Sequence, residues 1–493
     1  MGEAESKISN LGSISQGAGI HILGHMVKTV LTLVTTVILT RTLGASLYGI
    51  YAYLLLTLPL CLIFINLGAN NSLLRFIPKF GESNDKSQAF VTLSATISLI
   101  MSVVVGVLLF IFAPTLSELT IDESLFSKTL RILALMLPFY GLTNIGASVF
   151  KSIEKLHYTI LVKSISRPLF RLCFVGGAVL LGFSIIGATI GLVLSSIGTL
   201  LVAVFLLSKS THFSKVKTPT KSDVVSYLKF SIPLTFNQMG SLLYKRTDIF
   251  MIGLFLSSAA VGVYQISITL AGFLALPLTA FNQLFPPIAS RLYSNGRLSE
   301  LEDLYEIVTL WIFTICLFPT ILLVINAEEV LEIFGDGFSD GVWVVTLISL
   351  AQLANAAVGA SGYLLMMTDH QYIVTLNQVV SGVANVVLNY ILILEMGLIG
   401  GAVATATVIS SINIARVVQV WYLEDIFPYN LNYIKPVIAG GAAAVILFLL
   451  GFKLSGLQLL VLSLILGGST YLGIIIMLLS DDEIEPIKQI IAE

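Results

Sequence analysis

The chain has 493 residues, of which 56% are hydrophobic and only 11% carry a charged side chain. This composition excludes an ordinary soluble domain, which has about 25% charged residues, and it indicates a polytopic membrane protein. The formal net charge is −2, and the basic residues are spread along the chain without a nucleic-acid-binding motif. Nucleic acid is therefore not a predicted partner.

A helix needs about 20 apolar residues to cross a bilayer. Fourteen apolar segments of roughly this length alternate with short polar breaks, so the predicted fold is all-α with fourteen transmembrane helices. Spans 1 to 12 are predicted at 19–40, 49–70, 89–112, 129–150, 157–182, 186–207, 227–253, 259–283, 305–326, 342–367, 372–394 and 398–422, and spans 13 and 14 at 433–452 and 457–479.

These spans predict six regions along the chain. Two six-helix lobes contain most of it, and the last two spans form a separate pair. The regions are a cytoplasmic tail at 1–18, an N-lobe at 19–207, a basic cytoplasmic linker at 208–226, a C-lobe at 227–422, the helix pair at 433–479 and an acidic cytoplasmic tail at 480–493.

An internal duplication supports this division into lobes. Comparing each residue with the residue 213 positions later gives matches at four separate places, whereas chance matches would scatter over many offsets. The matched pairs are Gly49 and Gly262, Gly146 and Gly359, His157 and His370, and Gly187 and Gly400. Six-helix halves in the same orientation are a known arrangement of secondary transporters.

Lysine and arginine predict the orientation, because cytoplasmic loops carry their excess. Basic residues collect in the linker and after span 2, whereas the segment 326–340 has five acidic residues and no basic one. Both termini are therefore predicted to be cytoplasmic, in a multi-pass protein of the plasma membrane.

Span 5 carries three cations four residues apart, Lys163, Arg167 and Arg171, with Pro168 inside the stripe. The duplication places His157 just before this span, as His370 precedes span 11, so the three cations lie within the membrane. Each costs about 2.5 to 3.5 kcal/mol at the centre of a bilayer. Four further predicted intramembrane cations are Lys28, Lys245, Arg246 and Arg416.

Asp248 is the clear intramembrane acid, so the interior of the protein is predicted to be electropositive. A cavity of fixed cations suits a diphosphate or another polyanion, because guanidinium groups offer paired donors to phosphate oxygens. The structural alternative is that Lys163 and Arg416 extend to the membrane surface and that Asp248 pairs with Lys245 or Arg246. Ion coupling at Asp248 and Asn237 is a further, weaker prediction.

Span 11 carries a stripe of amides at Asn377, Asn385 and Asn389. Amides on one face bind sugar hydroxyls or hydrogen-bond neighbouring helices, and the sequence leaves both roles open. No catalytic signature is present, so an enzyme is not predicted. The three cysteines lie in separate apolar spans, and neither a metal nor a cofactor is predicted.

Several motifs resemble the polysaccharide-transporter branch of the multidrug/oligosaccharidyl-lipid/polysaccharide exporter superfamily, which includes the Wzx-type flippases. They are RTLGASLYGIY at 41–51, NLGANNSLLRFIPKFG at 66–81, TDIFMIG at 247–253 and PPIASRLYSNGRLSELEDLY at 286–305. Related lipid II flippases use cavity arginines on helices 1, 2 and 8; here span 1 offers Lys28 and span 8 offers no cation, so those roles do not transfer.

The resemblance implies a flippase that moves a polyprenyl-phosphate- or diphosphate-linked oligosaccharide from the cytoplasmic to the outer leaflet by alternating access. The implied partners are this lipid and the surrounding membrane lipids, with glycan-assembly enzymes as further candidates, and the expected state is a monomer. A cation-coupled multidrug exporter of the same superfamily is the main alternative. A membrane-embedded glycosyltransferase or polymerase is a more distant one.

Overall fold

The computed structural model describes the backbone at residues 2–81, 84–121, 123–210 and 217–478. Side chains are described from residue 23 onward within these ranges, except at 210, 237 and 240–245. Helices, turns and loops make up this part of the chain, without a strand. The prediction of an all-α membrane protein is confirmed.

Seven helical runs form the first half. They are α1 (Gly2–Asn66), α2 (Ala69–Phe80), α3 (Asp85–Glu118), α4 (Ser124–Ser152), α5 (156–180), α6 (Ile185–Ser210) and α7 (Lys221–Phe255). Ten follow in the second half. They are α8 (Ser258–Gly272), α9 (Leu276–Ser294), α10 (Leu298–Ile325), α11 (Ala327–Glu332), α12 (Val342–Ala357), α13 (Ser361–Met367), α14 (Gln371–Met396), α15 (Leu398–Glu424), α16 (Ile434–Gly451) and α17 (Gly456–Leu478).

Eleven helices of the described chain are long and apolar enough to cross a membrane. They include α1 as a single helix and do not include α5 or α7. The count of fourteen spans and the internal duplication therefore stay predictions.

The first helix differs from its predicted bounds. It begins at Gly2, within the predicted tail 1–18, and runs through the predicted break at 41–48 to Asn66. The helical backbone is interrupted only at Gly44, with φ 73° and ψ 175°. Only glycine adopts this conformation without steric cost, so one residue separates the segments predicted as spans 1 and 2.

The predicted linker 208–226 is also shorter in the structure, because α6 ends at Ser210 and α7 begins at Lys221. Thr220 and Asp223 form a reciprocal cap at this start. The Thr220 backbone N–H donates to the Asp223 carboxylate at 2.9 Å, and the Asp223 N–H donates to the Thr220 hydroxyl at 3.3 Å. This arrangement satisfies N–H groups that a helix start leaves unpaired.

The chain divides into two compact units, one of Met1–Arg246 with Ser257–Val261, the other of Thr247–Leu256 with Gly262–Glu493. Most of α7 thus belongs to the first unit, although the sequence places it in the C-lobe. Packing explains this, because Tyr227 of α7 is fully buried in a core with residues of α2, α3 and α4. The Ser72 and Ser231 hydroxyls are 2.6 Å apart in the same interior.

The second unit has its own apolar cores. One lies among α9, α10 and the helices α12 to α15, around the fully buried Tyr305. Another joins the last two helices to α10, where Phe318 and Tyr471 stack with ring centroids 5.6 Å apart. The C-terminal pair is therefore anchored on α10 within this unit.

Candidate functional site: a cation cluster in the first unit

The helical run α5 alternates between α and π turns. Its π turns are Leu161–Ser166 and Arg171–Gly176, and they flank the short α turn Arg167–Phe170. Pro168 lies at the start of that α turn. Proline has no N–H to donate to the preceding turn and its ring crowds the carbonyl four residues earlier. Widening to a π turn on the N-terminal side relieves this crowding.

These π turns align the cations of α5. In a regular α-helix, residues four apart drift by about 40° around the axis per step. A π turn contains more residues, so a four-residue step through it drifts in the opposite sense. The step from Lys163 to Arg167 runs mainly through a π turn, and the step from Arg167 to Arg171 runs through an α turn. The two drifts oppose each other and keep the stripe on one face.

Four of the predicted cations come together in the first unit. The charges of Arg167, Arg171 and Lys28 all act on Tyr140 of α4. Lys163 experiences the charges of Arg167 and Lys28, and also that of Lys151. Lys163, Arg167 and Arg171 are half-buried, whereas Lys28 is exposed. We call Lys28, Lys163, Arg167 and Arg171 the cation cluster.

Tyr140 is the centre of this cluster. The Arg167 guanidinium carbon lies 4.3 Å from the centroid of the Tyr140 ring, and its Nη1 donates to the Tyr140 hydroxyl at 3.1 Å. The charge of Arg171 acts on Tyr140 and also on Tyr51 of α1. No sequence pattern singled out Tyr140, because it is one of seventeen tyrosines in a mostly apolar chain.

Two guanidinium nitrogens of the cluster lack partners. Arg167 Nη2 and Arg171 Nε are inaccessible to solvent and have no hydrogen-bond partner among the described residues. Leaving a buried donor unpaired costs about 1 to 3 kcal/mol, and more when the group is charged. The ion pairs found within the described ranges are Lys217–Asp85, Arg297–Glu300 and His370–Glu424, and none involves the cluster. The arrangement is therefore suited to an anion.

The remaining predicted cations lie elsewhere. Arg416 belongs to the second unit, where its Nη1 is 3.4 Å from the Asn413 side-chain oxygen, and Asn413 in turn donates to Asn355 at 3.0 Å. Arg246 is half-buried at the end of the first unit. The side chains of Lys245 and Asn237 fall outside the described residues. Asn355 and Asn413 are polar neighbours of Arg416 that the sequence did not single out.

Asp248 is buried in the second unit. Its carboxylate accepts a hydrogen bond from the Tyr264 hydroxyl at 3.0 Å and one from the Ile249 backbone N–H at 2.9 Å. These donors stabilise a carboxylate in an apolar surrounding. The predicted ion-coupling role of Asp248 stays a prediction.

The asparagine stripe of α14 is buried. Asn377 and Gln419 of α15 form a reciprocal amide pair, with N-to-O distances of 2.7 and 3.1 Å. Asn389 donates to the backbone carbonyl of Asn385 at 2.8 Å. This geometry favours the helix-joining role of Asn377 over sugar binding, because both polar atoms of its amide are already engaged.

Comparison with known families identifies a match over the first part of the chain. Residues 14–292, more than half of the chain, match the family described as polysaccharide biosynthesis protein.

Two curated relatives come from Haloferax volcanii. The probable low-salt glycan biosynthesis flippase Agl15 is 26% identical over 273 residues, which cover 53% of this chain and 55% of that protein. The probable flippase AglR is 25% identical over 294 residues, covering 56% and 59%. The chain thus spans just over half the length of these relatives in the matched regions. Both relatives are transporters by description, in line with the prediction that the chain is not an enzyme.

Among solved structures, the lipid II flippase MurJ in an inward closed conformation superposes with a TM-score of 0.70 at 17% sequence identity. The match covers 92% of this chain and 97% of MurJ. At this identity the similarity is one of fold. It supports the fold of a multi-pass membrane protein.

Proposed function

The chain belongs to the polysaccharide biosynthesis protein family, and from this premise we propose that it is a flippase for a lipid-linked oligosaccharide. The cargo would be a sugar chain on a polyprenyl phosphate or diphosphate, moved from the cytoplasmic to the outer leaflet. The observation that supports this most directly is the cation cluster, in which two arginine donors are buried without a partner in the described chain.

Placing charged side chains inside apolar membrane spans costs free energy. Four cations within apolar spans are unfavourable unless water or an anion compensates them. The charges of the cation cluster act on one another and on Tyr140. No carboxylate of the described chain pairs with the cluster. A phosphate group carries the complementary charge and accepts several N–H bonds at once. A cationic drug would be repelled from the same place.

The proposed topology follows from the helix bounds. Dividing α1 at Gly44 and adding α5 and α7 to the remaining candidate spans gives fourteen crossings. With an even number of crossings both termini lie on one side, and the basic segment around Lys217 and Lys221 assigns that side to the cytoplasm. We place the protein in the plasma membrane on this basis, with two duplicated six-helix halves.

The proposed mechanism is alternating access, in which the phosphate site opens first to the cytoplasmic side and then to the outer side. The cations would hold the phosphate, the sugar would cross in water and the prenyl chain would stay in lipid. Outward movement of negative charge is favoured by an inside-negative potential, by about 2.3 kcal/mol per charge for each 100 mV.

The test is to reconstitute the protein in vesicles with a fluorescent lipid-linked oligosaccharide. The quantity measured is the rate at which this lipid becomes accessible on the opposite face of the membrane. Wild type should move the lipid, faster with an inside-negative potential. The double variant Arg167→Ala, Arg171→Ala should be inactive at wild-type abundance.

Arg131→Ala is the matched control, because Arg131 belongs to α4 of the same unit and its Nε is likewise buried without a partner among the described residues. It lies over Phe110, 5.3 Å from the ring centroid, and is not part of the cation cluster. It should retain wild-type activity. Unchanged activity of the folded double variant would remove the cluster from the mechanism.

A second candidate is a cation-coupled multidrug exporter, favoured only by the buried carboxylate of Asp248. Export of cationic dyes that is lost in Asp248→Asn and retained in the double arginine variant would support it. Dye export unaffected by Asp248→Asn would contradict it.

A further inference from the structure

The hydrogen-bond inventory around Tyr140 is unusual. A phenolic oxygen accepts two hydrogen bonds and donates one. Here Arg167 Nη1 donates to it at 3.1 Å, and the charge of Arg171 acts on the same side chain. Arg167 uses one acceptor position of the hydroxyl, and the hydroxyl keeps its own hydrogen to donate.

The ring of Tyr140 fixes one of these arginines. The guanidinium of Arg167 lies against the aromatic face at 4.3 Å, a cation–π arrangement. Stacking and the hydroxyl bond together leave the guanidinium little rotational freedom. Its Nη2 then stays at a set position. This nitrogen and Nε of Arg171 are both unpartnered in the described structure.

We infer that Tyr140 is a positioning residue that holds Arg167 beside Arg171, so that both arginines bind oxygens of one phosphate group. The donors that remain for this phosphate are Nη2 of Arg167, Nε of Arg171 and the Tyr140 O–H. A phosphate group offers several acceptor oxygens on one tetrahedral centre, which matches such a set. The inference rests on the proposed function, and it adds a phosphate-positioning residue that neither the sequence motifs nor the family membership identifies.

The experiment measures binding of farnesyl phosphate and farnesyl diphosphate to the purified full chain in detergent. Tyr140→Phe keeps the stacked ring and removes the hydroxyl, so the affinity for both probes should fall about tenfold while the melting temperature is unchanged. The matched control is Tyr158→Phe, because the Tyr158 ring packs on Phe150 with centroids 5.3 Å apart and is not part of the cluster. It should bind like wild type.

A double-mutant cycle separates positioning from general packing. If Tyr140 acts through Arg167, Tyr140→Phe should have little further effect in an Arg167→Ala background. Equal effects in both backgrounds would contradict the inference, because the tyrosine would then act independently of the arginine.

Arg167→Lys provides a second test in case Tyr140→Phe does not fold. It keeps the charge but removes the planar group that stacks and donates twice, so affinity should again fall about tenfold, whereas Arg131→Lys should not change it. Unchanged affinity in Arg167→Lys would overturn the inference.

Different results would contradict the proposed function and the positioning role of Tyr140. Wild-type protein that is folded and binds neither farnesyl probe would contradict the proposed function and the inference with it. Wild-type binding that persists at full strength in Tyr140→Phe would contradict only the positioning role.

Discussion

The helices α5 and α14 occupy equivalent places in the predicted duplication, yet they differ in chemistry and in backbone. The first carries the cations Lys163, Arg167 and Arg171 and alternates π and α turns. The second is a continuous α-helix whose buried face carries asparagines. Arg167 and Arg171 keep unpartnered donors in the described structure, whereas Asn377 is engaged twice by Gln419.

On the proposed function, α5 binds the cargo and α14 packs against its neighbour, although the predicted duplication makes the two helices equivalent. The amides of Asn377 and Gln419 satisfy each other, join α14 to α15 and need no ligand. Arg167 and Arg171 combine unpartnered donors with neighbouring cations, which an anion would compensate. The comparison can be tested by perturbing each helix with matched substitutions.

The largest effect is expected from single arginine substitutions in α5. Arg167→Ala or Arg171→Ala should each lower the transport rate by about 30-fold or more, since losing one partner of a buried charged contact costs about 2 to 5 kcal/mol. Asn385→Ala in α14 should change the same rate by less than about twofold. A comparable loss in the asparagine variant would abolish the distinction between the two helices.

The next effect is expected from the backbone of α5. Pro168→Ala restores an N–H donor and permits a regular α-helix, which would rotate the three cations apart without removing a charge. Transport should fall about tenfold with abundance unchanged, because small misplacements of binding groups are costly. Pro233→Ala in α7 is the control for proline removal. Equal transport by Pro168→Ala and wild type would show that the π turns do not matter.

A smaller effect is expected from Lys28, which is exposed and therefore screened by water and salt. Lys28→Gln should slow transport about threefold at low ionic strength, and the difference from wild type should shrink in high salt. A deficit that is the same at all salt concentrations would indicate that Lys28 contributes by packing rather than by charge.

The smallest effect on transport is expected from Asn377→Ala, which should leave the rate within about twofold of wild type. It should instead lower stability by about 0.6 to 1.7 kcal/mol, the range for interhelical hydrogen bonds in membranes. Denaturation in detergent measures this cost. Gln419→Ala should cost a similar amount, and the double variant should cost less than the sum of both, because the two amides bind each other.

Much of the site was predictable from residue spacing. Lys163, Arg167 and Arg171 were placed inside span 5 by the duplication, and the structure has a helical run at 156–180. Lys28 was recognised as a cation in an apolar span, but its proximity to Lys163 depends on how α1 and α5 pack. Tyr140 was missed, because its role depends on contacts between α4 and α5 that leave no pattern in the sequence.

The sequence by itself determined the membrane class, the helical fold and the identity of the unusual charges, because hydropathy and charge are local properties of the chain. Tertiary structure decided which cations share one neighbourhood, which amides pair and where the backbone of α5 widens. These features depend on contacts between residues far apart in the chain, such as Arg167 with Tyr140 and Asn377 with Gln419, and no local property of the chain encodes them.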